Sequence, residues 1–420
     1  MSPTETALRD AAGAESGSER SKRGRASGAR TALALVAVAL ASASRRTVAD
    51  AGSNGGVGWA AAASSPVPVD EAQLGTLERA ALRRCGAADA GLQSTARWIA
   101  ARKLGGSAMP ELDEIAFAQR ASGEPHPWAR AWAASARGMS DPTALQRLEE
   151  WLATESAGPQ RRCGAAAGRG EGDLRVLVVV VVDAVADLVV PVPTRVRMGQ
   201  WVTLEARLRA PARGGRVLVL GPSGVPRSLL TSFDGETLRA RFSPDRRGEF
   251  AVQVLADLRD GPRPVLETSV FAETQPPASP PDAVAPGEEL AQARADDDVL
   301  GGMLQAARAS AGAHALAGDE RLRELATQHA WRMARARRLG HDVGDGDPIN
   351  RLRAVGLEPR DVGENVAHAP SVALAHRAMW CSPSHRSNML RSDFDRFGAA
   401  AVRDERGDVW AVELFTSGLP

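Results

Sequence analysis

Trp380-Cys381-Ser382-Pro383-Ser384-His385-Arg386-Ser387-Asn388-Met389-Leu390 is the stretch on which the reading of this chain turns. Ser382-Pro383 reads as a helix start, because serine caps well and proline is tolerated at the first helical position. His385 then sits at a boundary, where a polar side chain faces a groove while the helix buries its apolar face. Upstream lie Gly363-Glu364-Asn365-Val366 and Gly340-His341-Asp342. Before them, Asp319 is placed as the N-cap of a helix over Arg321–Leu339, with Leu322, Leu325, Ala326, His329 and Met333 on one face. Downstream, Phe397–Val402 and Val409–Phe415 read as a hairpin, the second strand apolar on both alternating faces. A strand of that kind is expected between two helix layers. Six of the seven histidines (His314, His329, His341, His368, His376, His385) follow position 300, so site chemistry is expected in the last third.

In this order, and with the preceding Thr327-Gln328-His329-Ala330-Trp331-Arg332-Met333, these segments resemble the CAP superfamily of cysteine-rich secretory, antigen 5 and pathogenesis-related proteins. The similarity covers about Leu290 to Pro420, with the Ser-Pro-x-His-Arg segment of compact bacterial members. It implies an α-β-α sandwich, an α+β domain with a groove holding two histidines and one or two glutamates. Carried over residue by residue, these are His341, Glu364 and His385. A further glutamate that animal and plant members carry before the second histidine is missing, since only Cys381–Ser384 separate Trp380 from His385. Members have been linked to lipid or sterol binding, to contacts between cells and occasionally to hydrolysis, so the resemblance implies a site more than a reaction.

Two neutral imidazoles and a carboxylate form a three-ligand set for a divalent cation such as zinc, with positions left for water or substrate. Without metal, His341, Glu364 and His385 have the chemistry for acid–base work near neutral pH. They also suit a hydrogen-bonded scaffold. Glu413 lies in the doubly covered strand, where an unpaired carboxylate costs several kcal/mol. It either takes the missing fourth position, as a further catalytic group, or pairs with Arg351 or Arg386. His329 reads as a core histidine, and His314, His368 and His376 as exposed or structural. A thiol nucleophile at Cys381 lacks an orienting partner in the sequence. Two functions follow: a binding module whose groove takes a small ligand, a cell-envelope component or a divalent ion, or a metal-assisted hydrolase acting on envelope or secreted material.

The upstream chain is expected to be multidomain, as 420 residues exceed one core. Residues 70–165 read as a helical domain from Leu77–Leu82, Leu92–Trp98 and Leu145–Leu152, with Asp141-Pro142 as a helix start. His126, between two prolines, is taken as structural. From 172 to 273, short strands separated by turns predict an all-β immunoglobulin-like sandwich, beginning with the β-branched run Val176–Val182. Gly221-Pro222-Ser223-Gly224-Val225 falls short of a nucleophile elbow, which needs glycine at the last position, and reads as a turn. Residues 274–289 hold the Gln275–Asp282 proline-rich stretch, expected to be extended and to carry few contacts.

The N-terminus pairs basic residues 20–30 with the apolar run Thr31–Leu40 and Ala41-Ser42-Ala43. This predicts a signal peptide over 1–43, followed by a disordered linker over 44–69, in an exported (periplasmic or secreted) protein; an Ala-rich tail is the alternative. No run reaches membrane-spanning length. Lys+Arg 52 against Asp+Glu 51 gives net charge +1, which removes the electrostatic footprint of a nucleic-acid binder. Export would allow Cys85 and Cys163 to join, worth roughly 4 kcal/mol by loop entropy, and leave Cys381 as a free thiol.

Overall fold

The computed structural model describes residues 58–155, 160–259, 261–281, 284–292 and 296–419. The expected signal peptide and the first part of the expected linker lie outside the described residues. From 58 onward the segment read as a disordered linker is docked instead. Trp59 packs edge-on against Phe117 and Phe271 at 5.4 and 4.8 Å, and Ala62 bridges to Val192. The partly buried Trp59 ring, edge-on to two aromatic neighbours, anchors this segment to the fold.

The N-terminal module corrects the all-helical expectation. Helices Thr76–Cys85, Ala90–Leu104, Leu112–Ala121 and Asp141–Thr154 are present, but they pack on a four-stranded sheet. Its order is Ala87–Ala88, Arg161–Arg169, Leu174–Asp183, Arg130–Arg137. The valine run is therefore a central strand of this module, not the first strand of the sandwich. Leu177, Val179 and Val181 pack with Ala81, Leu82 and Leu148; Val176, Val178, Val180 and Val182 pack with Leu92, Ile99 and Ile115. Both faces are covered, as a continuous β-branched run demands. The strands beside it must be thin: a Cβ at Gly164 would lie 2.1 Å from the Leu92 carbonyl carbon. The fourth helix is capped one residue earlier than expected, by the Ser140 side chain on the Thr143 N–H. A disulfide joins Cys85 to Cys163, and Cys381 is free.

The middle module is a two-sheet β structure. One sheet orders Thr231–Phe233, Thr237–Phe242, Val202–Leu208 and Ala186–Leu188. The other orders Arg195–Val196, Gly261–Ala272, Gly248–Leu258, Gly215–Leu220 and Pro226–Ser228. Alternate residues of both, among them Leu204, Leu238, Val219, Phe250 and Val270, share one core. Gly221–Gly224 is a turn closed by the Gly224 N–H on the Gly221 carbonyl.

The C-terminal module comprises α1 (Asp296–Ser310), β1 (Ala317–Gly318), α2 (Glu320–Ala336), α3 (Pro348–Ala354), β2 (Asp361–Ala369), α4 (Val372–Cys381), α5 (Pro383–Leu390), β3 (Arg396–Arg403) and β4 (Val409–Ser417). The sheet order is β1-β3-β4-β2, antiparallel apart from the short β1. Its two faces alternate residue by residue. Ala399, Ala411 and Phe415 face α1 and α4 with Leu300, Met303 and Met379. Ala400, Val412 and Leu414 face α2 and α3 with Leu322, Met333 and Leu352. The result is three layers, helix on sheet on helix. Asp319 caps α2 as expected, accepting from the Arg321 and Leu322 N–H groups. At Gly398 a Cβ would lie 2.2 Å from the backbone of α2, so only glycine lets that helix lie flat on β3. The proline-rich stretch is less free than expected: Trp59 donates to the Pro277 carbonyl, and the sandwich touches α5. Among the described residues, no helix is long and apolar enough to cross a membrane.

Candidate functional site

Strand β2 lies at the edge of its sheet and carries Glu364 and Asn365 side by side. Successive strand residues point to opposite faces. Glu364, flanked by Val362 and Val366, faces α2 and α3; Asn365, paired with Glu413, faces the α5 side. The site wraps that edge.

On the first face Glu364 is buried. Its Oε1 accepts from His341 Nδ1 at 2.9 Å, and its Oε2 is held by Arg351. A carboxylate accepts, so in this bond His341 donates from Nδ1, which leaves Nε2 as the nitrogen not engaged by Glu364. Arg351, 8% exposed, also reaches Asp345 at 3.4 Å. Asp345 accepts from His329 Nδ1 at 2.8 Å. Burial works against its charge, but His329 and Arg351 hold its pKa below the ordinary range. His329 Nε2 meets the Gly340 carbonyl at 3.0 Å and so fixes the loop that delivers His341. His329 is, as expected, a satisfied core histidine, buried with both ring nitrogens bonded, and its partners tie it to the site. Its apolar neighbours in the sequence did not show which partners satisfy it; the nearby Asp345 was the available signal.

On the second face, Asn365 is fully buried. It donates to the His385 carbonyl at 3.1 Å and to Glu413 Oε2 at 2.9 Å, and accepts from Asn388 at 3.0 Å. Asn388 also donates to the Glu364 carbonyl at 3.2 Å, tying the two faces together. The His385 Nδ1 is buried with no hydrogen-bond partner, although the residue as a whole is partly exposed. Burial, and then the neighbouring His341, push its pKa down to about 4. His385 is thus a neutral imidazole at physiological pH.

Glu413 does not join the His341–Glu364 pair, and neither Arg351 nor Arg386 pairs with it. Arg351 is taken by Glu364 and Asp345, while Arg386 donates to the Trp380 carbonyl and lies over that ring at 3.9 Å. Glu413 is on the opposite face, completely buried, with Oε1 unpartnered and its pKa raised to about 7 by burial. Among the described residues, Asn365 is the side chain that donates to it. The sequence flagged the burden of this carboxylate but not its partner.

The proposed metal set is not drawn together. Among the described residues, the ligand atoms that lie within 4.8 Å of one another are those of His368, Asp404 and Asp408, not those of His341, Glu364 and His385. Both Glu364 oxygens are already engaged. The trio is arranged as a His341–Glu364 hydrogen-bonded pair, backed by Arg351, with His385 as a separate imidazole. That second trio is likewise committed internally: Asp404 accepts from Trp410 Nε1 and two backbone N–H groups, and His368 stacks on Trp410 at 4.1 Å. His314 and His376 bond the Phe394 and Pro286 carbonyls and are structural. His126 is buried against Glu124 and the Ala186 carbonyl. Burial outweighs nearby arginines in raising the Cys381 pKa, which disfavours a thiolate nucleophile there.

A family model for the cysteine-rich secretory protein family (CAP) matches residues 302–415. No curated protein matches the chain. Solved structures similar to it include an outer surface protein of Borrelia burgdorferi, at 20% identity over 29% of this chain and 92% of that one, TM-score 0.27. An extracellular protein containing an SCP domain from Bacillus anthracis shares 17% over 54% and 68%, TM-score 0.27. A cysteine-rich secretory protein from Staphylococcus aureus shares 13% over 56% and 81%, TM-score 0.25. The family match over the residues that carry His341, Glu364 and His385 makes the C-terminal module of this chain a CAP-superfamily domain.

Proposed function

We propose that this is an exported CAP-domain protein whose groove binds a small hydrogen-bonding ligand between His341 and His385. The observation that carries the reading is the buried, unpartnered His385 Nδ1. Buried polar atoms without partners are rare, and one on a partly exposed residue calls for a ligand or water atom. His341 presents the second contact, its Nδ1 side locked by Glu364, which Arg351 in turn holds. Glu364 sets the His341 tautomer and balances charge. Asn365, itself bonded to Glu413, holds the His385 carbonyl. The immunoglobulin-like reading of the two-sheet module makes it a spacer or binding module. Export is supported by the A-x-A-type N-terminus and the Cys85–Cys163 disulfide, since such bonds persist in oxidising compartments.

A divalent ion is the second reading. What favours it is the same free nitrogen on a neutral imidazole, the form that ligates metal. It requires His341 and His385 to approach each other, and we route no reaction through it. Ligand-observed NMR with a set of hydroxyl- and amide-bearing fragments tests the first reading, with His385→Ala as control. Fragments that bind the full chain and are lost in the variant support it; equal binding to both contradicts it. Zinc chloride titrated alone by calorimetry tests the second, which fails if His341→Ala and His385→Ala leave the isotherm unchanged.

A further inference from the structure

Gln253 belongs to the sandwich strand Gly248–Leu258, yet its side chain ends in the CAP domain. It is 1% exposed. Its Oε1 accepts from the Ser384 N–H at 2.9 Å, and its Nε2 donates to Ser382 Oγ at 3.2 Å and to Glu267 Oε1 at 2.6 Å. The first N–H groups of a helix have no partner within it. Ser382 stands at the N-cap of α5, but its side chain makes no capping bond. Gln253 supplies that cap from the neighbouring module, one residue before His385.

Two further contacts tie the sandwich to the same groove. Arg386 donates to the Gly224 carbonyl at 3.3 Å. Gly261, at the start of the strand paired with Gly248–Leu258, lies against His341: a Cβ there would sit 3.2 Å from the His341 Cβ and 3.3 Å from its Cδ2. Its φ of +109° also disfavours any other residue. Each of the two groove histidines thus meets the sandwich, one through its helix cap and one directly.

We propose that the groove is a two-module site, in which Gln253 is a positioning residue that sets His385 by capping its helix, and Gly261 is a wall over His341. This deepens the groove reading and rests on it for its purpose, but its test needs no ligand. The sandwich is then part of the site rather than a spacer, and ligand shape is limited by Gly261 as well as by the CAP domain.

The test uses the full chain, with hydrogen exchange of peptides spanning Ser382–Leu390 and diethyl pyrocarbonate labelling of individual histidines. His368, whose side chain is 37% exposed, is the internal reference. Gln253→Ala is expected to raise both Ser384 exchange and His385 labelling roughly fivefold, the ratio set by one lost helix cap. His368 labelling and exchange in β4 should not change. Gln253→Glu places a second carboxylate against Glu267 and should loosen the contact similarly. Adding Glu267→Gln restores the bond with donor and acceptor exchanged, and should return both rates to wild type. If exchange in β4 also rises, the exchanged pair alone decides: recovery supports the proposal and continued loosening overturns it. Unchanged Ser384 exchange and His385 labelling in Gln253→Ala also overturn it. A chain that passes here but binds no fragment keeps the two-module architecture and loses the binding reading instead.

Discussion

Replacing Glu413 by glutamine should stabilise this protein, and by an amount that depends on pH. The side chain is completely buried, accepts one hydrogen bond from Asn365 through Oε2 and leaves Oε1 without a partner. Burial raises its pKa from the ordinary 4.5 to about 7. Between those values the folded chain holds a proton that the unfolded chain has released. Stability from this group is therefore full below pH 4.5 and is lost as pH rises through 7. The whole difference corresponds to about 3 kcal/mol. Glu413→Gln keeps an acceptor for Asn365 and carries no charge at any pH. Its stability advantage over wild type should therefore grow from pH 4.5 upward and level off above about pH 7. Urea denaturation of both proteins at several pH values from 4 to 8 measures the difference directly. A difference that stays flat across that range, or that shrinks as pH rises, refutes the burden assigned to this carboxylate.

Three other outcomes follow from the same geometry. His385 runs the opposite way: its folded pKa of about 4 lies below the ordinary 6.5, so the unfolded chain takes up the proton first as pH falls. Wild type should lose stability relative to His385→Ala by up to about 3 kcal/mol between pH 6.5 and 4, read by the same denaturation series. Arg351→Met leaves Glu364 and Asp345 buried without their guanidinium partner and should cost about 3 to 5 kcal/mol in urea unfolding of the CAP domain. Removing both Cys85 and Cys163 should cost up to roughly 4 kcal/mol by loop entropy, whereas Cys381→Ser leaves the thermal transition unchanged.

The C-terminal domain was legible because its signals are local. The Asp319 cap, the Ser382-Pro383 helix start and the doubly apolar β4 each depend on a few neighbouring residues. The N-terminal module was not, because tertiary packing overrides propensity there. Arg130–Arg137 and Arg161–Arg169 are rich in alanine and arginine, which favour helix, yet both are strands. They are strands because Val176–Val182 needs partners thin enough to admit helices on both faces, as Gly164 beneath Leu92 illustrates. The assignment of that valine run to the sandwich failed for the same reason: its period identifies a buried strand but not the sheet it joins. In the site, His341, Glu364 and His385 could be chosen by residue type and order. The roles of His329, Asn365 and Gln253 depend on partners 11 to 131 positions away, which no local pattern encodes.

The central claim is that His341 and His385 flank a groove built to take a hydrogen-bonding ligand. Crystals of the full chain soaked with the hydroxyl- and amide-bearing fragments examine it most directly. A fragment is expected to bridge Nε2 of His341 and Nδ1 of His385, beside Gly261. Fragments that settle only elsewhere, for example in the open groove beside the stacked Trp132 and Trp151, with His385 Nδ1 found bonded to a protein group, would contradict it.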